Sequence, residues 1–263
     1  MLRINKIIDQ ARESGRRVLE LGCGNGMLSL ECARNGMDVI GVDLSPKSIE
    51  IAKRFKDENP FKEQFGSLQY ICGDITQIVF EEGSFDSVIF FRSLHHIADG
   101  NDVIKKVASY LRDKGKIIIS EPIRGHFTKE SAQFAAILRT ILPTWIDYHE
   151  KLNKPWSSKL WQEEIEAIFT EYTMEGEHKQ SPLDNSINTS HEIKSLIEKF
   201  FTIIEESYSD ACVDKIIGGL RGEHRYELAR FLRFLDDEIV HACALPPTSM
   251  ELVAVKKADI GRV

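Results

Sequence analysis

The chain has 263 residues, 42% of them hydrophobic, and its 34 Lys and Arg against 41 Asp and Glu leave a net charge of −7. That length and apolar share allow one sizeable core near the upper size of a single domain, so one domain with a large insertion is as good a reading as two. The acidic balance gives no general pull toward phosphate backbones or anionic lipid, which sets nucleic acid and membrane aside as partners. Met1-Leu2-Arg3-Ile4-Asn5-Lys6 opens no apolar leader, and no window approaches about 18 apolar residues, so neither a signal peptide nor a membrane span is expected. The five cysteines, Cys23, Cys32, Cys72, Cys212 and Cys243, are scattered and form no C-x-x-C pair. Reduced thiols in a cytoplasmic protein fit that pattern, and no metal site is expected.

From about residue 16 to 122, short β-branched runs alternate with segments of helical period, the pattern of βαβ units around a parallel sheet. The predicted strands are Val18–Leu21, Val39–Asp43, Leu68–Cys72, Ser87–Phe91 and Ile117–Glu121. Ser45 before Pro46 marks a helix start, because a serine hydroxyl caps open amides and proline suits the first helical position. Gly36 and Gly115 read as helix-ending or turn residues. Past Pro122 the rhythm breaks: Phe134, Ile137, Leu138 and Ile141, then Trp161, Ile165, Ile168 and Phe169, have helical spacing without a strand. A polar stretch from about Thr173 to Asn188 leads to Thr189-Ser190-His191-Glu192, a capping-box form that opens another helix. Phe201–Glu206 is a sixth strand, an amphipathic segment covers about Arg221 to Val240, and Leu252–Val255 is a last strand. Three units follow: a cofactor core over 1–122, a mainly helical insertion over 123–200, and strands with a helical insertion over 201–263.

The first strand runs straight into Glu20-Leu21-Gly22-Cys23-Gly24-Asn25-Gly26, ahead of an apolar helix. Glycines there permit a tight turn and a ligand close to the backbone. NAD binding is a rival, but its G-x-G-x-x-G fingerprint requires glycine where Met27 stands. Asp43, ending the second strand, either accepts hydrogen bonds from ribose hydroxyls or caps the next helix. Asp74, after Gly73 at the end of the third strand, either reaches an adenine amino group or belongs to a polar turn.

In order and spacing these residues resemble the class I S-adenosylmethionine-dependent methyltransferase family. The Glu20–Gly26 turn matches its E-x-G-x-G-x-G signature, Asp43 its ribose-binding acid, Gly73-Asp74 its adenine-side acid, Phe85-Asp86-Ser87-Val88-Ile89 its fourth strand, and Leu111-Arg112-Asp113-Lys114-Gly115-Lys116 its turn into the fifth. The resemblance implies an α/β, Rossmann-like seven-stranded sheet of order 3-2-1-4-5-7-6, its last strand antiparallel, with a helical insertion after strand five. It implies S-adenosylmethionine held by Glu20, Gly22, Cys23, Gly24, Asp43, Leu44, Gly73, Asp74, Ile75, Phe91 and Arg92, with Glu20 organising the loop.

After the fourth strand, Phe91-Arg92-Ser93-Leu94-His95-His96-Ile97 is similar to the L-H-H motif of small-molecule methyltransferases related to the ubiquinone and menaquinone biosynthesis enzymes. Alignment of an acceptor with an already activated methyl is the main catalytic task, and a base is optional. His95 or His96 can take a proton from an acceptor hydroxyl or amine, or else cap and pack; Glu121 is a third candidate. Trp145, Tyr148, His149, Trp156 and Trp161 either wall an acceptor pocket or fasten the insertion to the sheet. Arg124 and His126 lie just past strand five, where a polar acceptor could meet them. Tyr226, Leu228, Phe231, Leu232, Leu235 and Ile239 read first as core packing, otherwise as a pocket cover or dimer face. The expectation is methyl transfer to a small molecule, oxygen ahead of nitrogen or carbon, with a homodimer allowed. The alternatives are a non-catalytic binding scaffold and an NAD-dependent oxidoreductase.

Overall fold

The computed structural model describes residues 2–97, 100–144, 148–173 and 189–258. The apolar runs become strands β1 (Arg17–Leu21), β2 (Asp38–Asp43), β3 (Leu68–Cys72), β4 (Phe85–Phe91), β5 (Leu111–Pro122), β6 (Phe201–Ser209) and β7 (Ser249–Lys256). They form one sheet of order β3-β2-β1-β4-β5-β7-β6. The first five pair in parallel, and β7 lies antiparallel between β5 and β6. The order expected from the resemblance is the one found. β4 is buried along nearly its whole length, as a strand covered on both faces must be.

Helices α1 (Leu2–Ser14), α2 (Met27–Arg34) and α3 (Pro46–Asp57) cover one face, packing Ile8, Leu28 and Ile49 onto Val18, Val39 and Ile89. α4 (Gly100–Tyr110) covers the other with Val103, Ile104 and Val107 against Leu19, Val88 and Ile117. Between β5 and β6 come α5 (Lys129–Ile141), α6 (Tyr148–Leu152), α7 (Ser158–Thr173) and α8 (Ser190–Ile197); α8 joins α4 on the second face. Ser45 caps α3 through the Ser48 amide, and Thr189 and Glu192 form the reciprocal capping box of α8. After β6 follow the short α9 (Asp214–Ile217) and α10 (Arg225–His241). These helices share a third core with α5 and α7, in which Phe127, just past β5, and Cys212 and Val213, just past β6, meet Leu138, Ile168 and Leu232. The layer is therefore moored at the carboxyl ends of two strands.

Two local expectations change. Gly115 lies inside β5, which begins at Leu111; the neighbouring Lys114 takes the left-handed backbone (φ 62°) instead. α10 buries only part of its apolar run, because its inward face is centred on Leu232 and Asp236 while Tyr226 and Phe231 stand exposed. Trp156 packs edge-on against Trp161 at 5.8 Å and donates its indole N–H to the Lys151 carbonyl, both contacts within the insertion. Trp145 and most of the polar stretch, residues 174–188, lie outside the described residues, as do the side chains of Tyr148 and His149.

Candidate active site

Parallel register brings the carboxyl ends of β1 to β5 to one edge, and with them the Gly22–Gly26 loop, Asp43, Asp74, the segment after Phe91, and Glu121. At β1, the amides of Gly22 and Cys23 both donate to the Val42 carbonyl, at 2.8 and 2.9 Å, turning the chain sharply. A Cβ on Gly22 would stand 2.4 Å from Cβ of Ser93, and one on Gly26 would strike the Tyr70 hydroxyl group. Gly24, in left-handed backbone, has nothing within 4 Å of its missing Cβ. The loop is thus packed at both feet and open at its crest, which a ligand can approach. Tyr70 of β3 secures it further, donating to the Gly26 carbonyl at 2.9 Å.

Glu20 is only 2% exposed and accepts a hydrogen bond from the Ser29 hydroxyl of α2. Burial, with the nearby charge of Asp43 adding to it, pushes its pKa up to about 8. A mostly neutral acid beneath the loop suits a bracing role. The Asp43 carboxylate accepts from the Gly24 amide at 2.7 Å and from the Ser45 amide at 2.9 Å, linking the loop crest to the start of α3. Leu44 beside it is 55% exposed, a large apolar side chain at the ligand edge. Cys23 is buried, which pushes its thiol pKa up and leaves it protonated. At β3, Gly73 donates to the Asp43 carbonyl at 2.9 Å, and Asp74 is exposed. The Asp74 carboxylate accepts from the Thr76 hydroxyl and amide, which hold its pKa below the usual carboxylate range. Ile75 packs at the margin of the core.

Beyond β4 the backbone turns at Arg92, whose left-handed φ of 54° is uncommon for a residue with a side chain. Its amide donates to the Ser120 carbonyl at 2.8 Å, and Phe91 behind it is half-buried. Leu94–His96 form a short 3-10 turn held by Glu121 from the end of β5. Oε1 of Glu121 accepts the amides of Ser93 and Leu94 at 2.7 and 2.8 Å, and Oε2 lies 2.5 Å from Nδ1 of His95. Glu121 is 2% and His95 5% exposed, so the pair is enclosed. His96 stacks at a tilt on His95 with centroids 3.9 Å apart. An ionised carboxylate only accepts, so Nδ1 of His95 donates and Nε2 is the nitrogen left to take a proton. A carboxylate that orients a histidine in this way is the arrangement of an assisted base.

The edge therefore unites the glycine loop, Asp43, the Asp74 turn, the His95 segment and Glu121. Arg124 and His126 lie in a 3-10 turn just after β5. Side chains that motif reading passed over complete it: Ser29, Tyr70, Ser93, whose hydroxyl donates to the Leu21 carbonyl at 2.6 Å, and Asp214, which pairs with Arg92 at 3.3 Å. No sequence signal marks them, since each meets its partner through the fold. No helix among the described residues is long and apolar enough to cross a membrane.

Residues 19–119 match a family model described as a methyltransferase domain. A ubiquinone biosynthesis O-methyltransferase of Coxiella burnetii is 33% identical over 119 residues, which are 45% of this chain and 49% of that protein. The chain thus spans about half the length of that relative. Among solved structures, an S-adenosylmethionine-dependent methyltransferase from Methanosarcina mazei superposes with a TM-score of 0.54 at 16% identity, covering 96% of this chain and 98% of that one. A phosphoethanolamine N-methyltransferase of Haemonchus contortus, solved with S-adenosyl-L-methionine, superposes with a TM-score of 0.58 at 18% identity over 97% of this chain and 52% of that one.

Proposed function

We propose, from the match of residues 19–119 to a methyltransferase domain, that the chain belongs to the class I S-adenosylmethionine-dependent methyltransferases and transfers a methyl group from S-adenosylmethionine to a small-molecule acceptor, at oxygen ahead of nitrogen or carbon. The observation that carries the proposal is the enclosed Glu121–His95 pair standing at the same strand edge as the open crest of the Gly24 loop.

The residues fit the cofactor. Space above Gly24 lets a ligand come against the loop crest, and the Asp43 carboxylate has lone pairs for ribose hydroxyls beyond the two amides it binds. Leu44 and Ile75 offer apolar surface to a purine, Asp74 an acceptor to its amino group, and Phe91 and Arg92 border the methionine end. Glu20, Gly22 and Cys23 shape the loop from below. When bound, S-adenosylmethionine supplies an electrophilic methyl on a sulfonium, so the protein's share is alignment, exclusion of water and removal of one proton.

In this reading His95 takes the acceptor's proton at Nε2 while Glu121 fixes its tautomer and holds the turn that presents it. His96, stacked on His95, borders the same space. Residues 1–122 form the cofactor core, the insertion over 123–200 lids the acceptor, and 201–263 completes the sheet. A cytoplasmic protein, as monomer or homodimer, that takes a small molecule without nucleic acid or membrane fits the acidic charge.

Calorimetric titration with S-adenosylmethionine, S-adenosylhomocysteine and NAD tests the proposal. Micromolar binding of the first two and none of NAD is expected. Binding of NAD alone overturns it, and binding of none of the three points to a scaffold.

A further inference from the structure

Asp214 begins α9, but it does not cap that helix. The amides before it, of Ala211, Cys212 and Val213, all donate to Asp236 of α10 at 3.0, 3.2 and 3.3 Å. Asp214 is thereby relieved of the usual duty of an acid at a helix start. Its side chain is 7% exposed, and Oδ2 lies 3.3 Å from Arg92 and 3.2 Å from Lys215. Oδ1 is buried and has no hydrogen-bond partner among the described residues. Buried carboxylate oxygens are almost always satisfied, and this one, without a partner among the described residues, leaves a place for a ligand's donor. Through Arg92 the group is tied to the same backbone turn that carries His95, and Lys215 sits over the ring of Tyr172 at 5.5 Å.

We propose that Asp214 is a specificity-determining residue whose open oxygen accepts a hydrogen bond from a neutral hydroxyl group of the methyl acceptor. Two cations already balance its single charge at Oδ2, which disfavours a third from an ammonium-bearing acceptor and favours an O–H donor. The inference rests on the methyl-transfer reading of this edge and narrows its substrate class to hydroxylated molecules.

The test uses the full chain saturated with S-adenosylhomocysteine and three probes of one ring size, phenol, its methyl ether anisole, and benzylamine, followed by ligand-observed NMR. Phenol is expected to bind at least tenfold more tightly than anisole or benzylamine. The Asp214→Asn variant, compared at saturating S-adenosylhomocysteine, is expected to lose that preference for phenol over anisole by about tenfold, the loss for a hydrogen bond to a charged group. Equal binding of phenol and anisole to the parent, preference for benzylamine, absence of phenol binding at millimolar concentration, or an unchanged preference in Asp214→Asn overturns the inference. The parent comparison decides the matter even if the variant does not fold. Failure of the parent to bind S-adenosylhomocysteine is a separate result and strikes the underlying reading instead.

Discussion

Replacing Glu121 separates two duties that its carboxylate performs at once. Glu121→Gln keeps a carbonyl oxygen where Oε1 accepts the Ser93 and Leu94 amides, so the 3-10 turn stays in place. The other end becomes an NH2 group that donates, and Nδ1 of His95 must then accept. That moves the ring proton to Nε2, the nitrogen assigned to the acceptor's proton. Turnover should fall by about a hundredfold to ten-thousandfold, the range for losing a positioned base, with S-adenosylhomocysteine affinity within a few-fold of the parent. Glu121→Ala should instead strike the fold, because two buried amides lose their acceptor at about 1 to 3 kcal/mol each, roughly 2 to 6 kcal/mol together. The assays are steady-state release of S-adenosylhomocysteine and guanidinium unfolding of all three proteins. Full turnover in Glu121→Gln would refute the assisted-base assignment, and parent-like stability in Glu121→Ala would refute the anchoring role.

Asp43→Ala should weaken S-adenosylhomocysteine binding by about 1.5 to 3 kcal/mol, since hydrogen bonds to a charged acceptor are lost; calorimetry showing equal affinity would remove the ribose assignment. Gly24→Ala should fold at a cost of about 1 to 2 kcal/mol for its left-handed backbone yet bind cofactor poorly, whereas Gly22→Ala, colliding with Ser93, should lose stability. If both variants bound S-adenosylhomocysteine normally, the open crest would not be the cofactor's approach. Glu20 has a folded pKa near 8 against an ordinary 4.5, so the folded state prefers the neutral acid. Its contribution to stability is then greatest at low pH and declines as pH rises through that window, at about 1.4 kcal/mol for each pH unit of displacement. Glu20→Gln should flatten this decline between about pH 4.5 and pH 8 in denaturant titrations; an equally steep decline in the variant would show that Glu20 is not its source.

The seven strands and the glycine loop were legible because they depend on local pattern: period, caps and the need for glycine at a tight turn; the strand order came from the family resemblance. What pattern does not carry is a side chain's partner. Glu121 meets Ser93, Leu94 and His95 across a gap of 26 to 28 residues only because β4 and β5 run in parallel register. Arg92 and Asp214 are 122 residues apart, and no spacing rule joins them. α10 misled for a related reason. Its apolar residues suggest which face is inward, but the buried side holds Asp236, fully enclosed and bound to three amides, and this polar anchor turns Phe231 outward. Gly115 reads as punctuation in one dimension, yet β5 runs through it.

The placement of β7 also governs assembly. It forms hydrogen bonds with β5 on one side and β6 on the other, though it follows both in the chain. Until residues 249–256 leave the ribosome, β5 and β6 each present an open backbone edge and nothing in the sheet joins them. Such edges are templates for pairing with other chains. A nascent chain halted before Ser249 should accordingly be a sticky intermediate that chaperones retain, and slow codons just ahead of β7 would lengthen its exposure.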